Sequence, residues 1–185
     1  MTKFVSRAGE KLEFALRHFG ISVQDKIVAD FGSATGGFVD CLLQNGARRV
    51  YAVEVAHGQL DWKLRHDNRV IVLERTNAMH VEIAEKMDLI TIDVGWTKLF
   101  YVLPRAFANL AHNGKIIALI KPHYEAPRGY IRKGKLMEEK LEEVLEKIKE
   151  DIKAVGGRVL GIVESPLVGT RAKNKEFLAL IVSSN

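Results

Sequence analysis

The stretch that decides the fold is DFGSATGGF, residues 30–38. It follows the apolar run of residues 27–29 and precedes FVDCLLQNG, which has the pattern of an amphipathic helix. Glycines allow the backbone to turn sharply and to approach a ligand closely, and a helix start offers free N–H groups. The spacing G-x-x-x-G-G differs from the G-x-G-x-x-G of dinucleotide-binding turns. The stretch therefore predicts a ligand-binding turn between a strand and a helix, without a pyrophosphate cradle.

Apolar β-type runs alternate with helical patterns on both sides of this turn. Seven runs read as strands, namely KIVADFG, RVYAVEV, VIVL, DLITID, KIIALI, RVLGIVES and EFLALIVS. The last two are joined by a loop without helical pattern, so we expect them to pair antiparallel at one edge. We predict a single α/β domain over residues 1–185, with a Rossmann-like, seven-stranded, mostly parallel sheet and helices on both faces. This is how the sheet of a class I methyltransferase is built.

Three helix boundaries can also be predicted. Ser6 is expected to cap a first helix that ends near Gly20. A helix is also expected between the fourth and fifth strands, over residues 97–114, with Pro104 near a bend. A basic loop should follow KIIALI and lead into a long charged helix from about residue 136 to residue 155.

The composition is that of a globular protein, with 47% hydrophobic and 28% charged residues. No apolar run approaches the roughly 18 residues of a membrane span, and the N-terminus lacks the apolar region of a secretory signal. The single cysteine, Cys41, excludes an internal disulfide and a cysteine-based zinc site. We therefore expect a cytoplasmic protein without a membrane span.

Ligands of open α/β sheets bind beyond the carboxyl ends of the strands. Glu54 follows the second strand about twenty residues after the glycine turn, where an acid can accept both ribose hydroxyls of an adenosine. Asn77 and Ala78 follow the third strand, where an adenine edge could be read. Together these features favour S-adenosylmethionine over NAD. The predicted cofactor-binding residues are Asp30, Gly32, Ser33, Ala34, Gly36, Gly37, Phe38, Glu54, Val55, Asn77, Ala78 and Asp93.

The segment after the fourth strand, TIDVGW, narrows the class of methyl acceptor. Methyltransferases that act on exocyclic base amines carry an Asn/Asp-Pro-Pro-aromatic run here, and the chain contains no Pro-Pro. Methylation of pyrimidine carbon-5 requires a nucleophilic cysteine, and Cys41 lies on an apolar helix face where it is expected to be core. An oxygen acceptor is therefore favoured.

Four charged side chains are expected to meet at the same edge of the sheet. Lys121 follows the fifth strand, Asp93 follows the fourth, and Glu176 opens the last, while Lys11 lies in the first helix. Each alone would be an ordinary surface charge. Together they can remove a proton from a hydroxyl as it is methylated, with Lys121 as general base, its pKa lowered by the neighbouring lysine and partial burial. Asp93 and Glu176 would position Lys121, and Lys11 would tune charge and position the hydroxyl.

The net charge of +5 mildly favours the binding of a polyanion. Two basic segments, RGYIRKGK at 128–135 and RAKNK at 171–175, account for much of it. Two solvated loops would have the same composition, but nucleic acid is the polyanion that would make use of them. The predicted RNA-binding residues are Arg7, Arg128, Arg132, Lys133, Lys135, Arg171 and Lys173.

Several segments resemble the FtsJ-like methyltransferase domain, and more closely the hemolysin A (TlyA) type of ribosomal RNA 2′-O-methyltransferase. They are VSRAGEKLEFAL, the block from DFGSATGGF to DWKLR, VLERTNA, IDV and IKPHYEA. The resemblance implies a Lys-Asp-Lys-Glu tetrad at Lys11, Asp93, Lys121 and Glu176, S-adenosylmethionine as cofactor, and ribosomal RNA or a ribosomal subunit as partner. Proteins of this type usually carry an S4-like RNA-binding domain ahead of this one, whereas here the tetrad begins at Lys11.

Other interpretations remain open from the sequence. Trp96, in DVGWTKLF, could stack a base or pack against the sheet edge. No spacing of His57, His80 or His123 supports a metal site, although His123 could line the pocket. The domain could instead methylate a small-molecule hydroxyl, or could be an RNA-binding or hemolysin-like protein that keeps the fold without catalysis. The oligomeric state cannot be read from the sequence.

Overall fold

The computed structural model describes residues 3–170 and 172–184. A seven-stranded sheet forms its centre, with the order β3-β2-β1-β4-β5-β9-β8. Its strands are β1 Ile27–Phe31, β2 Arg49–Val53, β3 Val70–Leu73, β4 Met87–Ile92, β5 Leu110–Ile120, β8 Gly157–Glu164 and β9 Phe177–Ser183. Strands β1 to β5 are parallel, whereas β9 pairs antiparallel with both β5 and β8. The predicted sheet, with its antiparallel final pair at one edge, is confirmed.

Helices cover both faces of the sheet. They are α1 Ala8–His18, α2 Gly37–Gln44, α3 Trp62–Arg65, α4 Leu99–Asn109, α5 Pro122–Glu125 and α6 Leu141–Ala154. Side chains alternate between the faces along each strand, so that Val28 packs with α1 and α2 whereas Ala29 and Phe31 pack with α4 and α6. Two apolar cores therefore clamp the sheet from opposite sides and fix the positions of its strand ends. Cys41 is fully buried in the α1–α2 core, as expected.

The first helix begins later than predicted. It starts at Ala8 with Arg7 as the N-cap residue, and no side chain caps it. Ser6 is therefore not the N-cap; its carbonyl oxygen accepts a hydrogen bond from the Gly9 amide at 3.1 Å. Gly37 lets this segment lie against the start of α2, because a Cβ on Gly37 would be 2.2 Å from the Ser6 hydroxyl oxygen.

The fourth helix ends five residues earlier than predicted, at Asn109, and contains Pro104 within it. Asn109 is buried, and its amide group bonds to the Val81 carbonyl and the Ile83 amide, both at 3.0 Å. The chain then enters β5, whose register with β4 shifts between Met87 and Leu89. Residues 111–114 are thus an irregular strand extension and not helix.

The basic loop contains a small hairpin that the sequence did not predict. Strands β6 Ile131–Arg132 and β7 Lys135–Leu136 pair antiparallel around Lys133 and Gly134, which have φ values of 49° and 77°. Two positive φ values at the centre of a two-residue turn match the twist of a hairpin. A 3₁₀ turn follows at Glu138–Lys140, so the long charged helix α6 begins at Leu141 and not near residue 136.

Among the described residues, no helix is long and apolar enough to cross a bilayer.

Candidate active site

A cavity of about 620 Å³ opens at the carboxyl edge of the sheet. Its walls come from the turn after β1, the end of β2 and the segments that follow β3 and β4. Of the predicted cofactor-binding residues, those that line it are Asp30, Gly32, Ser33, Ala34, Gly37, Phe38, Glu54, Val55, Asn77, Ala78 and Asp93. The carboxyl edge is where ligands of such sheets bind, so the cavity lies at the expected place.

Gly36 is the one predicted cofactor residue that the cavity lining does not include. It has a φ of 99°, and a Cβ there would lie 2.3 Å from a methyl carbon of Leu64. Gly36 therefore serves the close packing of α3 against the turn. Gly32, by contrast, lies at the cavity; its φ is 87° and a Cβ would lie 2.6 Å from the Asp93 carbonyl oxygen. Only glycine lets the turns after β1 and β4 approach so closely.

The carboxylate of Glu54 is fixed by two backbone groups. Its Oε2 accepts a hydrogen bond from the Ala34 amide at 2.9 Å, and its Oε1 accepts one from the Ala56 amide at 3.0 Å. The first of these bonds ties the end of β2 to the glycine turn. An oriented carboxylate at this wall fits the ribose-binding role that the spacing predicts.

Asp30 presents an unpartnered oxygen in the same cavity. Its side chain is 1% exposed, and Thr91 donates a hydrogen bond to Oδ1 at 2.6 Å. Oδ2 has no hydrogen-bonding partner among the residues that the structure describes. Burial, reinforced by the charges of Asp93 and Glu54, raises the pKa of Asp30 to about 8 against the stabilising bond from Thr91. The carboxyl is protonated below about pH 8, and its unpartnered oxygen is a polar atom that a bound ligand can meet with a hydrogen bond.

A second cavity, of about 590 Å³, adjoins the first. All four predicted tetrad residues line it, namely Lys11, Asp93, Lys121 and Glu176. Asp93 and Lys121 also line the first cavity, so these two residues stand where the cavities meet. The predicted convergence of α1, β4, β5 and β9 at one point is therefore present in the structure.

The four charges form two ion pairs. The Lys121 ammonium lies 2.5 Å from Oδ1 of Asp93 and donates a hydrogen bond to the Val94 carbonyl at 3.0 Å. Lys11 pairs with Glu176, and these two residues are only 6% and 4% exposed. A buried pair is favourable only when its partners satisfy each other, so each carboxylate holds its lysine in place.

Aromatic rings stand at the mouth of the second cavity. Trp96 is 80% exposed and its ring is nearly parallel to that of Tyr124, at 7° and a centroid distance of 6.1 Å. Tyr124 in turn contacts the ring of His123 at 4.1 Å. All three residues line the second cavity. Tyr124 was missed from the sequence, although its position three residues after Lys121 was the available signal.

Of the predicted RNA-binding residues that the structure describes, one lines this cavity and three belong to the hairpin, whose Gly134 also lines it. Arg7 lines it and donates hydrogen bonds to the Val168 carbonyl at 2.6 Å and the Thr170 hydroxyl at 3.2 Å. Five others are exposed; they are Arg128, Arg132, Lys133, Lys135 and Lys173. Arg171 lies outside the described residues.

Asn174 joins the hairpin to the body of the protein, and sequence reasoning missed it. It is 5% exposed; its Oδ1 accepts from the Leu136 amide at 3.0 Å and its Nδ2 donates to the Gly134 carbonyl at 2.9 Å. Nothing in the sequence distinguishes it from a turn asparagine, because its partners lie about forty residues away.

No group of three or more histidine, cysteine or acidic residues that could hold a metal occurs in residues 3–170 and 172–184.

The sheet order, the strand-end cavity and its glycine turn define a class I S-adenosylmethionine-dependent methyltransferase fold. A Burkholderia thailandensis N-methyltransferase, solved with bound S-adenosylhomocysteine, superimposes on 98% of this chain and 79% of its own, with a TM-score of 0.68 at 15% identity. At that identity the likeness shows the fold alone.

The chain belongs to the FtsJ-like methyltransferase family, whose profile matches residues 4–181. It is 43% identical over 182 residues to YqxC of Bacillus subtilis, and 41% identical over 183 residues to hemolysin A of Brachyspira hyodysenteriae. It is 36% identical to the 16S/23S rRNA (cytidine-2′-O)-methyltransferase TlyA of Mycobacterium tuberculosis. A hemolysin-like protein of Streptococcus thermophilus covers the whole chain with a TM-score of 0.95 at 40% identity, over 69% of its own length.

These relatives are longer than the chain. The matches cover 95% or 96% of it but only 64%, 76% and 68% of the three sequence relatives, in the order given above. Because the family profile and these relatives match nearly the whole chain, its family and fold are established, and the resemblance predicted from the sequence is confirmed.

Proposed function

We propose that the chain is an S-adenosylmethionine-dependent methyltransferase that acts on the ribose 2′-hydroxyl of RNA, with ribosomal RNA as its substrate. The observation that carries this proposal is that the Lys121–Asp93 pair stands where the two cavities meet. A cofactor in the first cavity and an acceptor in the second would face each other across this pair. The relatives named as rRNA methyltransferases support the choice of acceptor.

The first cavity fits the cofactor. Its glycine turn offers an adenosine-containing ligand a close approach to the backbone, and the oriented carboxylate of Glu54 offers an acceptor for the ribose. The unpartnered oxygen of Asp30 offers a further hydrogen-bonding group. When bound, S-adenosylmethionine supplies an electrophilic methyl group. Everything else in the reaction falls to the residues of the chain.

Those residues have to hold a hydroxyl and take up its proton. The Lys121 amine, once it has released a proton, is the general base that accepts the proton of the attacking hydroxyl, and Asp93 orients it. Glu176 holds Lys11, and this second pair flanks the acceptor and balances charge within the cavity. Because the base is a side chain of the protein, the chemistry requires no metal ion.

RNA suits the second cavity and its surroundings. Exposed Arg132, Lys133 and Lys135 project from the hairpin beside it, and such charges attract phosphates. The exposed ring of Trp96, backed by Tyr124, is suited to stack an unpaired base next to the acceptor ribose. A small-molecule hydroxyl would make no use of these features.

The cofactor half is tested by calorimetric titration with S-adenosylmethionine and S-adenosylhomocysteine. We expect micromolar binding that Glu54→Ala weakens about tenfold or more, because the variant loses the ribose acceptor and a bond to the turn. Glu85→Ala is the matched control, since Glu85 pairs with Arg49 at the opposite end of β2. Absence of binding by the wild-type chain would overturn the cofactor assignment and favour the non-catalytic interpretation.

The catalytic half is tested by transfer of a labelled methyl group to transcribed 16S and 23S ribosomal RNA. Lys121→Ala should lower kcat by about 10²-fold or more, with cofactor affinity retained. Lys115→Ala, in the middle of β5 and six residues before Lys121, should leave kcat unchanged. Labelled ribose positions should resist alkaline cleavage, because a 2′-O-methyl group blocks it. Near-normal turnover by Lys121→Ala would exclude Lys121 as the base.

A further inference from the structure

His123 carries a buried polar atom that the fold does not use. Its Nδ1 has no hydrogen-bonding partner among residues 3–170 and 172–184, although the atom is inaccessible to solvent. The residue lies in α5, two positions after Lys121, and lines the second cavity. Native structures satisfy nearly all buried polar atoms, and leaving one unpaired costs about 1–3 kcal/mol. Because His123 lines the second cavity, a ligand that binds there can supply the missing partner once the imidazole ring rotates toward it.

The surroundings of the ring show which partner fits. On one side the imidazole contacts the Tyr124 ring, with a centroid distance of 4.1 Å and an interplanar angle of 45°. Burial, together with the charge of Lys121, lowers the pKa of His123 against the opposing effect of Glu176. A neutral imidazole is a hydrogen-bonding group for hydroxyl or base-edge atoms and has no charge to offer a phosphate.

We propose that His123 is a substrate-contacting residue whose Nδ1 hydrogen-bonds a neutral polar group, ribose or base, of the acceptor nucleotide of RNA. The inference rests on the proposed function, because it takes the second cavity as the acceptor site. It adds a contact outside the tetrad and assigns recognition of the acceptor to a side chain next to the base.

Three substitutions separate this role from a structural one. His123→Phe keeps the ring and its contact with Tyr124 but removes both nitrogens. His123→Asn keeps a polar atom near the position of Nδ1, whereas His123→Gln reaches toward the position of Nε2. His66→Phe is the matched control, because His66 contacts the Trp62 ring at 4.2 Å in the same way but its Nδ1 is paired with the Trp62 carbonyl oxygen at 2.8 Å.

The readouts are kcat/KM for methylation of transcribed ribosomal RNA, the Kd of S-adenosylhomocysteine and the thermal midpoint of unfolding. We expect His123→Phe to lower kcat/KM about tenfold, to leave the cofactor Kd unchanged and to raise the midpoint, since it removes an unpaired buried atom. His123→Asn should recover most of the lost activity and His123→Gln should not. His66→Phe should leave kcat/KM unchanged.

The outcomes that overturn the inference are distinct from those that overturn the proposed function. Wild-type activity on RNA with an unchanged kcat/KM for His123→Phe would remove His123 from recognition and leave the proposed function standing. A lowered midpoint with no recovery by His123→Asn would make the residue structural. If the wild-type chain transferred no methyl group to RNA, the proposed function would fail, and the inference with it.

Discussion

Asp30 is a residue whose charge depends on the fold. In the folded chain burial raises its pKa from 3.8 to about 8, so that between these values the native state holds a proton that the unfolded state has released. The stabilisation is complete below about pH 4 and is lost as the pH rises through about 8. The slope is at most about 1.4 kcal/mol per pH unit.

Asp30→Asn should abolish this part of the pH dependence, because an amide carries no proton that folding can retain. The variant should gain stability relative to the wild type as the pH is raised from 5 to 8, measured by urea unfolding at several pH values. Asp25→Asn is the control, since Asp25 is exposed and its φ of 58° is one that asparagine adopts readily. Stability curves of wild type and Asp30→Asn that run parallel would contradict the burial argument.

Individual residues also show which features of the site can be predicted from the sequence and which cannot. The positions of Glu54 and Glu176 at the carboxyl edge followed from their places at strand ends. Glu176 was expected to position Lys121, whereas it pairs with Lys11, and Asp93 pairs with Lys121. The protonation of Asp30 and the unpaired nitrogen of His123 could not be predicted, because both depend on which atoms from distant segments cover them. Gly36 was assigned to the cofactor because sequence does not show which side of a turn a Cβ would face.

At the scale of elements, the side chain of Asn174 bonds the hairpin β6–β7 to the body of the protein. Asn174 bonds the backbone on both sides of Lys135, at Gly134 and at Leu136, and it lies two residues before Glu176. The backbone carbonyl of Asn174 also accepts a bond from the Gly169 amide at 2.9 Å. The hairpin that carries basic side chains is therefore held in register with a tetrad residue.

Asn174→Ala should loosen the hairpin without disturbing the cofactor cavity. Loss of a hydrogen bond worth about 1 kcal/mol should accelerate exchange of the Leu136 amide by roughly an order of magnitude. The KM for RNA should rise severalfold while the Kd of S-adenosylhomocysteine stays constant. Asn45→Ala, which removes a comparable bond to the Cys41 carbonyl within α2 and its cap, is the control. Unchanged exchange at Leu136 would mean that the hairpin is held by other contacts.

The predicted helix boundaries were wrong where contacts with residues distant in sequence determine them. The end of α4 is fixed by the bonds of buried Asn109 to the segment of residues 81–83, which no local pattern announces. The start of α1 is fixed by its packing against Gly37, and Ser6 lost its expected capping role there. Strands, by contrast, were predicted well, because each is a short apolar run whose character does not depend on its partner.

At the scale of the whole molecule, the sheet order concentrates the chemistry at one edge. Parallel strands β1, β2, β4 and β5 all end there, and the antiparallel β9 begins there, so Glu176 reaches the same cavity from the opposite chain direction. This arrangement explains why residues from five separate segments could be predicted to meet. The shape of the second cavity could not be predicted, since part of its wall comes from the hairpin turn and the loop before β9, namely from Gly134, Gly169, Thr170, Ala172 and Asn174.

The distribution of charge over the molecule predicts how RNA binding should depend on salt concentration. If exposed Arg132, Lys133 and Lys135 contact phosphates, each neutralised phosphate should contribute about 0.7 to the slope of log K against log salt for a single strand. Replacing all three by glutamine should therefore reduce the slope by about 2 and weaken binding to ribosomal RNA most strongly at low salt. Fluorescence anisotropy across a salt series measures both quantities.

The control has to change the net charge equally. Replacing Lys147, Lys149 and Lys153 on α6 by glutamine also lowers the net charge from +5 by three, to +2, but none of these residues lines the two cavities. If RNA binding responded only to the overall field, the two triple variants would lose the same slope and affinity. If RNA contacts the hairpin, the hairpin variant should lose far more affinity and salt slope than the α6 variant. Equal losses of affinity and slope would show that the RNA-binding surface does not lie beside the second cavity.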